Sequence, residues 1–134
     1  MPEITNLVSQ SNFIVQLVNL LVEKFKDLRV VQALRPNQKA DLVIEKGGKK
    51  IFIETKNVQG YKDIPLATLS ELYNLKTENP NDQVVLISFS HISDLLKDKF
   101  KEIGIPYLEN PSLDKAVTLI GDQIQPDNNP DSKS

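Results

Sequence analysis

Two glycines, Gly47 and Gly48, separate two short runs that alternate apolar and polar residues, 40–46 (ADLVIEK) and 49–54 (KKIFIE). Alternation with a period of two marks strands with unlike faces. A Gly-Gly pair meets the positive φ that a two-residue hairpin turn requires. A turn at this place decides which residues oppose one another. Leu42, Ile44, Ile51 and Ile53 then share an apolar face and belong to the core. The other face carries Asp41, Val43, Glu45, Lys50, Phe52 and Glu54, with Lys56 two residues further along. Glu45 opposes Lys50 favourably, whereas Asp41 opposes Glu54, and two carboxylates facing each other across a ladder repel.

The hairpin sits within a regular succession of elements. Residues 11–28 place Ile14, Leu17, Val18, Leu21, Phe25 and Leu28 at helical spacing, with Ser11 or Asn12 as the N-cap. Residues 29–34 (RVVQAL) read as a strand closed by Pro36 and Asn37. After the hairpin and a polar loop, Pro65 opens a helix over 66–76, with Leu66, Leu69, Leu72, Tyr73 and Lys76 along a face. The run 78–82 (ENPND) breaks it. Residues 83–89 (QVVLISF) form a near-continuous apolar run, the mark of an interior strand covered on both sides. Ser90 or Ser93 caps a helix to Ile103 whose apolar positions Ile92, Leu95, Leu96 and Phe100 share a side, and Gly104 ends it. Residues 105–109 (IPYLE) give a short strand, and 112–120 one or two helical turns. Residues 1–125 are thus expected to form one domain, and 126–134 (PDNNPDSKS) have the composition of a disordered tail.

At 134 residues the chain is long enough for one self-sufficient core. It holds no cysteine and one histidine, His91, which excludes disulfide frameworks, thiolate chemistry and multi-histidine metal clusters. The longest greasy run, 13–22 (FIVQLVNLLV), is too short to span a bilayer and follows a polar start, so neither an anchor nor a signal peptide is expected and the protein reads as soluble and cytoplasmic.

The net charge of −2 hides an asymmetry. Between residues 29 and 62, eight basic residues (Arg29, Arg35, Lys39, Lys46, Lys49, Lys50, Lys56, Lys62) meet three acidic ones, a net of +5 that leaves −7 for the rest. A positive region around the hairpin attracts a polyanion. The same lysines also serve as a solvated guard on a sheet edge.

A divalent cation between Asp41 and Glu54 relieves their repulsion, and hard cations such as Mg²⁺ prefer oxygen ligands while keeping several waters. Lys56, one pleat further on the same face, is then placed to hold or deprotonate a water or to neutralise charge on a phosphate. The main-chain carbonyl of Thr55 is a further candidate ligand.

Asp41, twelve intervening residues, then Glu54-Thr55-Lys56, on the second and third strands after an N-terminal helix, resembles the PD-(D/E)xK nuclease superfamily. That group includes restriction endonucleases, archaeal Holliday-junction resolvases and RecB-type nucleases. The resemblance spans residues 11–108. It implies a restriction-endonuclease-like α/β fold, an αβββαβ core with a mixed central sheet flanked by helices. It further implies a Mg²⁺-dependent phosphodiesterase, with Mn²⁺ able to substitute, in which Asp41 and Glu54 are the metal ligands and Lys56 activates or positions the attacking water. Ala40 stands where the motif's name has proline. RecB-type members add a Gln and a Tyr on the next helix, where this chain has Leu69 and Tyr73. Some members contribute an acidic residue from the first helix, for which Glu23 is the candidate here.

The expected activity is DNA endonuclease, of restriction, resolvase, repair or element-excision type, acting as a homodimer or with a partner subunit. The alternative is a non-catalytic regulatory or interaction protein on the same fold, in which Lys56 simply neutralises Asp41 and Glu54. A third reading, a different α/β fold, makes the hairpin a surface ribbon. His91 reads as a capping or surface residue and Tyr73 as core. Gln59, Tyr61 and Lys62, in the loop after Lys56, are candidates to touch phosphate or base.

Overall fold

The computed structural model describes residues 2–33, 40–57 and 63–124, leaving aside the side chains of residues 2–11, 32 and 33. In chain order the elements are α1 (Pro2–Lys24), β1 (Arg29–Ala33), β2 (Leu42–Lys46), β3 (Lys49–Lys56), α2 (Ala67–Glu78), β4 (Gln83–Ser88), α3 (Asp94–Ile103), β5 (Tyr107–Glu109) and α4 (Leu113–Ile124). The expected tail lies outside the described residues, as does the loop with Gln59, Tyr61 and Lys62.

The hairpin forms in the expected register, with Leu42 opposite Ile53, Ile44 opposite Ile51 and Glu45 opposite Lys50. Both turn glycines have positive φ, 63° at Gly47 and 81° at Gly48. A Cβ at Gly48 meets nothing within 4 Å, so the cost of a substitution there is confined to the backbone. Gly48→Ala is therefore expected to destabilise the protein by about 1 kcal/mol. Urea denaturation would measure this, and an unchanged midpoint would show the turn adopting another conformation.

The strands lie in the order β1-β2-β3-β4-β5. The first three form an antiparallel meander, while β4 and β5 join in parallel after the α2 and α3 crossovers. The result is an α/β fold with an αβββαβ core, a mixed five-stranded sheet flanked by four helices. One face packs Leu42, Ile44, Ile51, Ile53, Val85 and Ile87 against α1 and α4. The other packs Val43, Val84 and Leu86 against α2 and α3. Period-two alternation sends the hairpin's residues to the two layers, and β4, covered on both, is buried from Val84 to Ser88.

Several expectations are corrected. Helix α1 begins at Pro2, so Ser11 and Asn12 are interior positions and not caps. It also stops at Lys24, because Asp27 takes φ 68°, a left-handed conformation that Asp tolerates better than most residues. Phe25 and Leu28 are buried all the same. The inner face of α2 is Thr68, Leu72 and Leu75, with Leu69 packed at its side, so of the expected row Leu69 and Leu72 face the core while Leu66 and Tyr73 do not. Tyr73 is 47% exposed, and Leu95 on α3 points outward too. A threonine at the start of the buried stripe hid its full extent. Helix α4 is a full 12 residues, opened by Ser112, whose Oγ accepts from Lys115 N–H. Helix α3 matches expectation at both ends: Ser93 Oγ accepts from Leu96 N–H, and Gly104 closes it at φ 77°.

Candidate active site

The carboxyl end of β3 and the start of β2 bring Asp41, Glu54 and Lys56 to one end of the sheet. Strand β2 begins at Leu42, so Asp41 does not continue the ladder with its backbone. Its side chain does so instead: Asp41 Oδ2 accepts from Thr55 N–H at 3.0 Å and from Thr55 Oγ1 at 2.5 Å. An acceptor placed there satisfies a strand donor left over where the partner strand ends. The carboxylate is held in place by this pair of bonds.

Glu54 lies on the α2 side of the sheet with its side chain 17% exposed. Lys56 Nζ is 3.4 Å from Glu54 Oε2 and 3.5 Å from Glu71 Oε1 on α2. Burial, reinforced by the nearby Asp41 charge, raises the Glu54 carboxyl from its ordinary value to about 7, against the opposing pull of Lys56. The repulsion inferred from the hairpin register is thus present in the folded protein, and Lys56 only partly cancels it. Lys56 itself is anchored through its main chain, since its carbonyl accepts from Phe89 N–H at 2.8 Å.

A cleft of about 350 Å³ opens beside Glu54 and Lys56, walled by Glu71, Leu72, Asn74, Leu75 and Glu78 of α2. Glu71, Asn74 and Glu78 escape a reading of the hairpin alone, because their approach to Lys56 is set by how α2 crosses the sheet. Their spacing of three and four residues was the available signal, since it places all three on one side of a helix. Among the described residues no third carboxylate or imidazole joins Asp41 and Glu54 in a metal-ligating group.

The other candidates lie elsewhere. Phe13 packs edge-on against Phe89 at 5.2 Å between ring centroids, which puts that part of α1 near the end of β4. Glu23 is ten residues further along, roughly 15 Å at helical rise, so it does not reach the Asp41 and Glu54 pair. His91 is an exposed residue whose Nδ1 lies 3.0 Å from Glu109 Oε2. That glutamate also accepts from Ile92 N–H at 2.6 Å and pairs with Lys97 at 3.1 Å, and these partners hold its carboxyl below the usual range. The cluster ties β5 to the start of α3.

Of the eight basic residues expected around the hairpin, Arg35, Lys39 and Lys62 lie outside the described residues, and most of the described ones lie away from the site. Lys46, Lys49 and Lys50 flank the turn at the opposite end of the hairpin, roughly 20 Å from Lys56 at strand rise. Arg29, at the start of β1, is paired with Glu45. A count along the sequence merges two ends of a sheet that geometry separates.

No protein-family model matches the chain, and no curated protein matches it. Among solved structures, the crystal structure of a protein of unknown function, AF1548, superposes with a TM-score of 0.52 at 20% identity, over 74% of this chain and 58% of its own. This chain therefore spans less than two thirds of the length of that structure, and the two are alike in fold.

Proposed function

We propose that the chain is a divalent-cation-dependent DNA endonuclease. The observation that carries this reading is the half-buried Glu54, raised to about 7 beside the tethered Asp41, with Lys56 on the same strand edge. The donor set fits a hard cation: two carboxylates and the Thr55 main-chain carbonyl supply oxygen only, and a Mg²⁺ site needs few protein ligands because the ion retains water. Mn²⁺ suits the same donors. When bound, the cation lowers the pKa of a water and draws charge from a phosphate oxygen.

The protein's own groups divide the remaining work. Thr55 orients Asp41 through two hydrogen bonds to one oxygen. Glu54 must give up its proton before it can act as a ligand, so occupancy rises with pH through about 7. The Lys56 ammonium holds the attacking water or the charge that develops on the phosphate. The new P–O bond forms from water as the ester P–O bond breaks, and the proton passes to the departing alkoxide. Glu71 and Glu78 make the α2 wall unfavourable for a polyanion, so the nucleic acid approaches from the Asp41 side. The segments next to Ala40 and Asn57 in sequence carry Arg35, Lys39 and Lys62.

The second reading, an interaction protein on the same fold, draws on the pairing of Lys56 with two carboxylates at once, which neutralises charge without any metal. Thermal melting with Mg²⁺ or Mn²⁺ separates the two. A ligand of the folded state adds about 2.7 kcal/mol at a hundred times its Kd, so the nuclease reading expects a rising midpoint that Asp41→Ala and Glu54→Ala abolish. Cleavage of linear duplex, single strand, flap and four-way junction, lost in Asp41→Ala, Glu54→Ala and Lys56→Ala, establishes the activity. No metal response and no cutting would leave the interaction protein.

A further inference from the structure

The register of the sheet extends the row that holds Lys56 beyond β3. Lys56 pairs with Ser88 on β4, and Ser88 with Glu109 on β5, so the three side chains leave the same face at the carboxyl end of three parallel strands. Glu109 stands two strands from Lys56, roughly 10 Å at sheet spacing. The region outside the carboxyl ends of parallel strands is where open α/β sheets hold their ligands.

The turn that joins β4 to α3 lies at this end and is fixed at each step. Phe89 N–H donates to the Lys56 carbonyl at 2.8 Å, and the His91 carbonyl accepts from Ile64 N–H at 3.0 Å. Between them Ser90 N–H donates to Ser88 Oγ at 3.1 Å, and that hydroxyl donates to the Ser90 carbonyl at 2.6 Å. Ser90 and Ile92 are buried, whereas the His91 side chain is 60% exposed. A stiff turn that turns one side chain outward presents it to whatever lies outside. The ring is held as well. Ionised Glu109 can only accept, so the proton between its Oε2 and His91 Nδ1, 3.0 Å apart, belongs to the ring. Nε2 is left as the second polar atom of the imidazole, with no partner among the described residues. Tying β5 to α3 does not require the ring, because Ile92 N–H and Lys97 Nζ already hold Glu109 and an exposed ion pair adds little stability.

We propose that His91 is a second contact for the DNA backbone, its Nε2 holding a phosphate oxygen some way along the strand from the scissile one, with Glu109 as the positioning residue that orients the ring. With Nδ1 already protonated, Nε2 donates only when the imidazole is charged, and a charged donor is suited to an anionic oxygen. The charged groups beside the ring are Glu109 on β5 and Lys97 on α3, with Asp94 of the same helix near Lys97. A strand that enters beside Asp41 and crosses the end of β3 next meets the end of β4. At 3.4 Å per phosphate, the roughly 10 Å from Lys56 to the β5 position corresponds to about three phosphates. The inference rests on the nuclease reading, since it takes DNA as the partner.

Fluorescence anisotropy of labelled single-stranded and duplex DNA with the full chain tests it. Binding is followed at pH 6, within the range where imidazoles take up a proton, without divalent cation so that the DNA stays intact, and between about 50 and 200 mM salt. His91→Ala is expected to weaken binding and to make the slope of log K against log salt shallower by about 0.7 for single strand and about 0.9 for duplex, the loss of one phosphate contact. His91→Lys, which keeps a cation at the same place, should hold the wild-type slope, with circular dichroism checking that each variant is folded. If the alanine variant does not fold, His91→Gln replaces it with the same expectation. An unchanged slope in the neutral variant overturns the inference and leaves the nuclease reading in place, as does an equal fall in Lys46→Ala at the far end of the hairpin. A slope that His91→Lys does not hold assigns the ring a structural role and overturns it too. A wild type that binds neither DNA overturns the inference, and cleavage with Mg²⁺ by the same protein then shows whether the nuclease reading survives.

Discussion

Glu54→Gln is expected to make the protein more stable at pH 8 while removing its response to Mg²⁺. The carboxyl titrates near 4.5 in the unfolded chain and at about 7 in the fold. Because the folded pKa is raised, stability is greatest below 4.5, declines as pH rises between the two values, and levels off above 7. The loss across that window is on the order of 2 to 3 kcal/mol, reduced by the solvent that still reaches the side chain. Gln keeps the size and the hydrogen-bonding capacity and never ionises. The variant should therefore match wild type near pH 4 and exceed it at pH 8, as measured by chemical denaturation at each pH. An equal difference at both pH values would mean that the ionisation of Glu54 does not oppose folding. On the nuclease reading the cation needs the Glu54 charge, so the gain in stability should come with loss of cleavage.

Lys56→Ala should lower cleavage by about 10² to 10³-fold, the range for removing one charge-stabilising donor from a reacting centre. It should also change the pH profile. Lys56 lowers the Glu54 pKa through its charge and a hydrogen bond, whereas burial, Asp41 and Glu71 raise it. Without the lysine, Glu54 keeps its proton to higher pH, and the rising limb of the residual rate moves in the alkaline direction. A lysine that acted only as a structural counter-ion would change stability and leave the rate of the folded protein intact. Rate against pH, at saturating Mg²⁺ and at a temperature where both proteins are folded, distinguishes these outcomes.

Much of this architecture can be read from local chemistry. The hairpin register follows from two glycines and a period of two, and the interior position of β4 from an unbroken apolar run. The caps of α3 follow from Ser93 and Gly104. What escaped was set by tertiary packing. Thr68, a small polar residue, opens the buried face of α2, its Oγ1 without a hydrogen-bond partner among the described residues, so apolar periodicity found Leu72 but missed Thr68 and misplaced Tyr73. Asp41 was legible as a member of the site but not as the side chain that replaces a ladder bond at the end of β2. The lysines at the hairpin turn show a different failure, because strand length alone places them far from Lys56 and summing charge along the chain discards that information.

The two margins of the sheet are unlike its centre. At one, β1 is five residues long and its pairing with β2 slips at Val31, between Val30 and Gln32; at the other, β5 has three residues. A shifted strand and a very short one are poor templates for an incoming strand. Although Val30 and Val31 are partly exposed, a crowded solution of this chain should not extend its sheet from molecule to molecule into fibres.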